Sequence, residues 1–202
     1  DQTFYPVRSS LPIDDSASMS FASPETSAIA KAAAINDSSR FHGVSAEALG
    51  TQAVLGVVTG EPFTLDNHLN INGLGPIDID PEPNDSTGVL VDAINADTPQ
   101  TGVIAFINGD SLLELYAADG SNILVEETGE LFDLVPGSNA ADETVIFRGG
   151  LRLTSSHAIV IGDATGAASP DNSAQTSLLG NINGGSSYLG ANTAIETCDD
   201  GN

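Results

Sequence analysis

Residues 89–107, VLVDAINADTPQTGVIAFI, decide the fold of this chain. The apolar residues at the start of the stretch share one face of a helix: Val89, Leu90, Ala93 and Ile94. We expect this helix to begin near Ser86 or Thr87 and to end by Pro99, because the residue before a proline disfavours helical geometry. A strand should follow over Gly102–Ile107. The stretch therefore predicts a helix that turns back into a strand.

An earlier part of the chain repeats this pattern. Ala34-Ile35-Asn36 followed by Gly43-Val44-Ser45-Ala46 matches Ala93-Ile94-Asn95 followed by Gly102-Val103-Ile104-Ala105, at an offset of 59 and with six residues between Asn and Gly in both copies. We interpret these as packing and turn positions. Isoleucine buries the helix, asparagine suits a helix end, glycine allows a tight turn and valine faces the core. Nothing in the pattern requires a ligand.

The first copy lies at the end of a helix that should start near Ser23. That serine is a suitable cap, Pro24 suits the first helical position, and Glu25 stands where the helix dipole favours an acid. The alanine-rich run that follows is made of good helix formers and should end near Asn36–Ser39.

The rest of the chain alternates as strands do. We expect one strand at Ala53–Thr59, a hairpin of 69–72 with 76–80 turning at Asn72-Gly73, strands at 102–107, 112–117 and 122–126, and a hairpin of 143–154 with 158–161. Beyond Asp163 the chain should run as a connection rich in Gly, Ser, Asn and Ala. The fold class is therefore α+β, mostly antiparallel β-hairpins with two short helices, in one domain or two lobes.

Charge excludes several partners. The 202 residues carry 28 acids and five Lys+Arg, a net charge of -23, and the basic residues are scattered singly. Such a surface repels nucleic acid and disfavours anionic membranes. Cys198 is the only cysteine, so no intrachain disulfide can form. No apolar run approaches a membrane span of about 20 residues. With neither a signal peptide nor an initiating Met in view, we expect a mature product or an excised fragment.

Residues that often do chemistry form no constellation. His42, His68 and His157 share no metal-ligand spacing, so we interpret them as ordinary loop or strand-edge histidines. Ser155 and Ser156 precede His157, but neighbours on a strand point to opposite faces and do not make a triad.

The acids at 78–85 also have a plain interpretation. Asp78, Asp80, Glu82 and Asp85 could bind calcium, yet their spacing does not fit an EF-hand, and we interpret them as a solvated acidic turn. The sequence thus nominates no catalytic residue, no metal ligand and no cofactor, and we expect a protein that is not an enzyme.

The stretch from 69 to 126 resembles a known motif. Its INGLGPI, LVDAIN, TGVIA, LEL and ADGSNI elements are similar to the flagellin "IN" motif of flagellins and hook-associated proteins, which has the pattern INGxxI, LVDAIN, TGVxA, LxL and ADGxNI. SAIAKAAAINDSSRFHGVSA resembles the segment that opens the outer region of many flagellins, and FRGGLRLTSSHAIVIG resembles the strand pair that closes it. The closing ANTAIETCDDGN is similar to the lead-in to a flagellin's C-terminal core helix. Together these cover more than half of the chain in the family's order.

The resemblance implies a structural role. Residues 1–202 would be the surface-exposed outer region of a bacterial flagellin, with an "IN"-motif lobe at 62–132 and a second lobe, nearer the filament core, made of 1–61 and 133–202. It would be extracellular, on the flagellum, with other flagellin subunits as partners. The long amphipathic helices that polymerise flagellins do not stand at either end, so the chain should be monomeric alone.

The positions that carry this interpretation are structural motif residues: Ala34, Ile35, Asn36, Gly43, Val44, Ile71, Asn72, Gly73, Ala93, Ile94, Asn95, Gly102, Val103, Asp119 and Gly120. A hook-associated junction protein is an alternative that shares the motif. An extracellular adhesion or glycan-binding module is another, although aromatic content of 5% argues against a stacking site.

Overall fold

The computed structural model describes residues 5–17, 21–75, 78–129, 131–132, 134, 142–163 and 193–198. It contains four α-helices and four antiparallel sheets of two or three strands in this part of the chain, so the predicted α+β class is confirmed. None of the helices in the described ranges is long and apolar enough to cross a membrane.

The helices are short. The four α-helices are α1 (Ala28–Asn36), α2 (Ser39–His42), α3 (Val89–Ala96) and α4 (Thr98–Thr101). Three single turns of 3₁₀-helix occupy Pro12–Asp14, Pro24–Thr26 and Pro83–Asp85. Each of these turns begins with a proline, whose fixed φ and missing N–H suit the first position of a helical turn.

The strands are β1 (Tyr5–Pro6), β2 (Ser45–Ala48), β3 (Thr51–Gly56), β4 (His68–Ile71), β5 (Ile104–Ile107), β6 (Leu113–Ala117), β7 (Ile123–Thr128), β8 (Asp142–Phe147), β9 (Leu151–Thr154), β10 (Ala158–Asp163) and β11 (Thr193–Cys198). They pair in the orders β1-β11-β10, β2-β9, β3-β6-β5 and β4-β7-β8.

The chain forms two compact units. Unit 1 comprises 1–50, 119–121 and 148–202, and unit 2 comprises 51–118 and 122–147. The sequence predicts an "IN"-motif lobe at 62–132, whereas unit 2 also takes in the flanking strands β3 and β8. Those strands belong to it because β3 pairs with β6 and β8 pairs with β7.

Unit 1 has a small aliphatic core. Helix α1 packs on β2, and the buried residues Val7, Ala34, Ile35 and Val44 meet Ala46, Leu151, Leu153 and Ile159. The helix contributes mainly alanines, which allow its backbone to approach the strand closely. Sheet β1-β11-β10 completes the described part of this unit.

Unit 2 has a larger core. Two three-stranded sheets and α3 enclose Leu55, Phe63, Leu69, Ile71, Leu90, Ile94, Leu113, Leu115, Ile123 and Val125, among others, all nearly inaccessible to solvent. Alternation is clear in β7, where Ile123, Val125 and Glu127 are buried and the residues between them are half-buried. Burial of this many aliphatic side chains, at about 1.5–3 kcal/mol each, makes this core the main source of stability in unit 2.

Both predicted helices form, but their starts differ from the prediction. Ser23 is in the left-handed region, and Pro24 and Glu25 belong to a 3₁₀ turn. Helix α1 is capped instead by Ser27, whose Oγ accepts the Ala30 N–H at 3.1 Å. The second helix begins at Val89 rather than near Ser86 or Thr87, and it ends at Ala96, before Pro99, as predicted. Pro99 itself lies inside α4, because a proline near the first position of a new helical turn is well tolerated.

The hairpin expected at 69–80 is wrong in its pairing. The turn at Asn72-Gly73 forms, with positive φ at both residues. However, β4 pairs with β7, and Ile79 forms a bridge with Phe63. Pro76 and Ile77 lie outside the described residues. Alternation identified the strands, but it does not encode which strand is the partner.

The hairpin expected at 143–161 is also wrong. Its residues form β8, β9 and β10, and these pair with β7, β2 and β11 in three different sheets. Beyond Asp163, residues 164–192 and the last four lie outside the described part of the chain. Residues 193–198 form strand β11 rather than a simple connection.

Candidate structural site: two asparagine clamps

The Asn95 side chain closes the end of helix α3 onto strand β5. Its Nδ2 donates to the Ala105 carbonyl at 3.0 Å, and its Oδ1 accepts the Ala105 N–H at 2.7 Å. Both backbone groups of one strand residue are therefore satisfied by one side-chain amide. We call this arrangement the unit 2 clamp.

Asn36 makes the same contacts in unit 1. Its Nδ2 donates to the Ala46 carbonyl at 2.9 Å, and its Oδ1 accepts the Ala46 N–H at 2.8 Å. This is the unit 1 clamp. The two clamps differ by 0.1 Å in each hydrogen bond, so the repeat seen in the sequence is also a repeat of geometry.

The turn between helix and strand is shared as well. Each copy contains a four-residue helix, α2 or α4, that ends at a glycine in the left-handed region, with φ of 68° at Gly43 and 71° at Gly102. Each glycine N–H bonds back to the first residue of that short helix, Ser39 or Thr98. Val44 and Val103 follow with no exposed surface, and Ile35 and Ile94 are buried beside them.

The clamp occupies the open edge of a strand. Strand β2 has β9 as its only described neighbour, and β5 has only β6. In an antiparallel pair, alternate residues point both backbone groups away from the partner. Ala46 and Ala105 are such residues, and the amide supplies the donor and acceptor that a further strand would otherwise provide. The asparagines therefore act as one-residue strand mimics, a role more specific than the predicted helix ending.

The copies differ in how the valine N–H is satisfied. In unit 2 the Thr101 Oγ1 accepts the Val103 N–H at 3.2 Å, whereas in unit 1 the His42 Nδ1 accepts the Val44 N–H at 3.1 Å. His42 is 1% exposed, and burial lowers its pKa. The prediction of an ordinary loop or strand-edge histidine is wrong for this residue, because its ring nitrogen is part of the turn.

The helices differ at one buried position. Leu90 in unit 2 belongs to the apolar core, and the residue 59 positions earlier is Lys31, which is 1% exposed. The Lys31 Nζ has no hydrogen-bond partner in the described part of the chain. Burial, together with the smaller effect of the positive charge of Arg148, lowers the pKa of Lys31 to about 8. No motif in the sequence points to Lys31, although the 59-residue repeat aligns it with Leu90.

Asn72 is a third bridging amide. Its Nδ2 donates to the Thr101 carbonyl and its Oδ1 accepts the Leu124 N–H, both at 2.8 Å. The residue is 2% exposed and joins the turn after β4 to β7 and to the end of α4. Ile71 and Gly73 flank it, as the motif requires, and Ile71 is buried in the core.

The alanines of the two AIN segments differ in burial. Ala93 lies half-buried on α3, and Ala34 is fully buried on α1.

The Asp119-Gly120 turn belongs to unit 1. The Asp119 Oδ1 accepts both the N–H and the hydroxyl of Ser121 at 2.9 and 2.7 Å. Gly120 has φ of 84°, and a Cβ there would lie 2.8 Å from the Leu49 carbonyl oxygen. Only glycine fits this position, for both reasons.

The acidic stretch at 78–85 is only partly a solvated turn. Asp78, Asp80 and Glu82 are exposed, but Asp85 is 5% exposed and caps α3. Its Oδ1 and Oδ2 accept the N–H groups of Leu90 and Val91 at 3.0 and 2.9 Å. Within the described ranges no group of three or more His, Cys, Asp or Glu is placed to hold a metal ion.

The remaining candidates have local contacts. His68 Nδ1 lies 3.0 Å from the Leu65 carbonyl, and His157 Nδ1 lies 3.0 Å from the Ser156 hydroxyl on the exposed turn before β10. A shallow surface depression in unit 2 encloses no space for a water molecule and is lined by Val58, Thr59, Gly60, Glu61, Phe63, Leu131 and Phe132. It presents one carboxylate and no converging set of polar groups.

No protein-family model matches the chain, and no curated protein matches it.

Proposed function

We propose that this chain forms the solvent-exposed outer region of a flagellar filament subunit, with a structural and motility-related role and no catalysis. The motif elements of residues 69–126 motivate the proposal, and the clamps give those elements a physical purpose. Every motif position described above packs, turns or closes a strand edge, as a structural module requires.

The observation that supports the proposal most is the pairing of β1 with β11. Tyr5 lies opposite Ile195 and Pro6 opposite Ala194 in an antiparallel ladder. Strands near the two ends of the sequence are therefore neighbours. An outer region that connects to a helical filament core at one place needs its two ends side by side.

The chain uses the same device inside unit 1. It leaves this unit after Gly50, returns to it for the short turn Asp119–Ser121, and re-enters at Arg148. The points at Gly50 and Arg148 are adjacent, because the Leu49 N–H donates to the Gly150 carbonyl at 2.9 Å and Ala48 pairs with Leu151. In sequence, the segments of unit 2 thus lie between the paired strands β2 and β9, an arrangement that allows a segment to be inserted without disturbing the strands on either side.

The charge fits an external surface. A net charge of -23 keeps an isolated chain soluble and disfavours self-association. Contacts between subunits would then depend on the filament core, with this region setting surface charge and antigenicity. We expect the chain alone to be a monomer of 20.6 kDa in light scattering coupled to size exclusion.

Immunogold electron microscopy of the producing cells tests the proposal. Antibodies raised against the folded chain should label flagellar filaments densely along their length, and preincubation with the chain should abolish the label. Gold confined to the hook–filament junction would favour the hook-associated alternative. Gold on the cell body with bare filaments would contradict the proposal and favour an adhesion module.

A further inference from the structure

The outer face of sheet β3-β6-β5 in unit 2 has an unusual composition. The strand register places six outward side chains in two rows across the sheet: Gln52, Tyr116 and Ile104 in one, Val54, Glu114 and Phe106 in the other. Four of the six are apolar or aromatic. The outward face of an antiparallel sheet is ordinarily polar when it faces water.

These apolar side chains are open to solvent. Val54 is 45% exposed, Ile104 44% and Phe106 38%, and Tyr116 is half-buried. The opposite face of the same strands is buried apart from the partly buried Ile107, so core packing already has its own set of residues there. The outer face is therefore largely apolar and open to solvent, with Glu114 between its apolar side chains.

Glu114 lies at the centre of this face and is 7% exposed. Its carboxylate accepts hydrogen bonds from Gln52 Nε2 and from Asn108 Nδ2, the latter at 3.1 Å. Both donors are neutral amides. Among the described residues, no ion pair joins the Glu114 carboxylate to a cation.

We propose that this face docks a protein segment that presents an arginine or lysine among apolar side chains. The apolar residues would cover Val54, Ile104 and Phe106, and the cation would pair with Glu114. A charge pair excluded from water is strong because the surroundings are of low dielectric. The proposal does not rest on the filament role and would stand without it.

A second copy of this chain fits the face poorly. Two such faces packed together would bring Glu114 against its own counterpart, and like charges opposite each other are destabilising. Each copy also carries a net charge of -23. Charge complementarity therefore selects a basic partner over the chain itself.

Amide chemical-shift titration with defined peptides tests the proposal. The probe is a short acetylated peptide in which valine and arginine alternate, and the control replaces arginine by the neutral isostere citrulline. The arginine peptide should shift the amides of β3, β5 and β6 saturably, at least about tenfold more tightly than the citrulline peptide. Glu114→Gln should weaken binding by about tenfold, and Phe106→Ser should do the same by removing apolar contact.

Asp92→Asn is the matched control, because it removes one negative charge from an exposed position on α3. It should leave the affinity within about twofold. Equal weakening by Asp92→Asn and Glu114→Gln would reduce the effect to bulk charge and overturn the proposal. So would the absence of a saturable shift up to about 5 mM peptide. Concentration-dependent shifts of the same amides without peptide would overturn it in favour of a second copy.

Discussion

The two copies of the repeat, each a helix, a turn and a strand closed by an asparagine clamp, have the same backbone arrangement but bury different side chains. We call each copy a clamp module. Unit 2 places Leu90 and Thr101 where unit 1 places Lys31 and His42. The hydrogen bonds of the asparagines and the left-handed glycines are alike in both copies. The same backbone arrangement therefore forms whether the buried side chains at these two positions are neutral or titratable. At these two positions, only unit 1 has side chains that respond to pH.

Placing the Lys31 side chain at the corresponding position of unit 2 should have the largest effect on stability. Leu90→Lys removes a fully buried leucine from the unit 2 core and inserts an amine there, so unit 2 should lose about 4 kcal/mol or more of unfolding free energy. Leu90→Met is the control and should cost less than about 1.5 kcal/mol. Urea unfolding followed on amide resonances of each unit separates the two transitions. A small loss with lysine would mean that unit 2 tolerates the charge as unit 1 does.

The reverse exchange, Lys31→Leu, should stabilise unit 1. The pKa of Lys31 falls from 10.5 in the unfolded chain to about 8 in the folded protein, and this difference corresponds to about 3 kcal/mol of unfolding free energy. Because the folded pKa is lowered, the penalty is complete below pH 8, shrinks between pH 8 and 10.5, and vanishes above that range. Wild-type stability should rise with pH through this window.

The variant should lack that rise, and the measurement is urea unfolding at several pH values. Lys31 is the only lysine in the chain, so no other lysine titrates between pH 8 and 10.5. Arg152→Gln, at an exposed cation, is the control and should retain the rise. A wild-type curve that is flat from pH 8 to 10.5 would show that Lys31 is not desolvated.

Removing the clamps should cost unequal amounts. Ala105 is 4% exposed, so Asn95→Ala leaves a buried N–H and a buried carbonyl without partners, and we expect a loss of about 2–4 kcal/mol in unit 2. Ala46 is half-buried and water can replace part of the amide, so Asn36→Ala should cost about 1 kcal/mol. The measurement is again urea unfolding of each unit. Equal losses would contradict the account of burial.

His42→Thr should remove a smaller, acid-dependent effect. The lowered pKa of His42 means that its contribution is complete above pH 6.5 and is lost as the pH falls below that value. The wild-type unit 1 should weaken by about 1 kcal/mol between pH 7 and 5, because protonation of Nδ1 breaks the bond to the Val44 N–H. The threonine variant, which copies Thr101, should show no such decline in thermal unfolding. A similar decline in both proteins would exclude His42 as its cause.

Local chemistry in the sequence was sufficient for much of this fold. Helix periodicity located α3, the 59-residue repeat located both modules, and Asn72-Gly73 located a turn. The strand partners were not predictable, because alternation assigns a face and not a neighbour. Thus β8, β9 and β10 were assigned to one hairpin and belong to three sheets.

The clamps themselves were half predictable. Asn36 and Asn95 were singled out, but their bonds reach a strand ten residues further along, which no local rule for helix ends describes. Lys31 and Glu114 were missed because a charged residue type predicts exposure. The repeat does carry a signal for Lys31: a residue-by-residue alignment of the two copies pairs Lys31 with Leu90, an apolar residue on the buried face of its helix.

Amide hydrogen exchange at Ala46 and Ala105 tests the central claim most directly, because the claim is that one side chain closes each strand edge. Both N–H groups should be strongly protected in the wild-type chain, although β2 and β5 are edge strands of their sheets. Asn36→Ala should release Ala46 alone, and Asn95→Ala should release Ala105 alone. Rapid exchange of either amide in the wild-type chain would contradict the clamp.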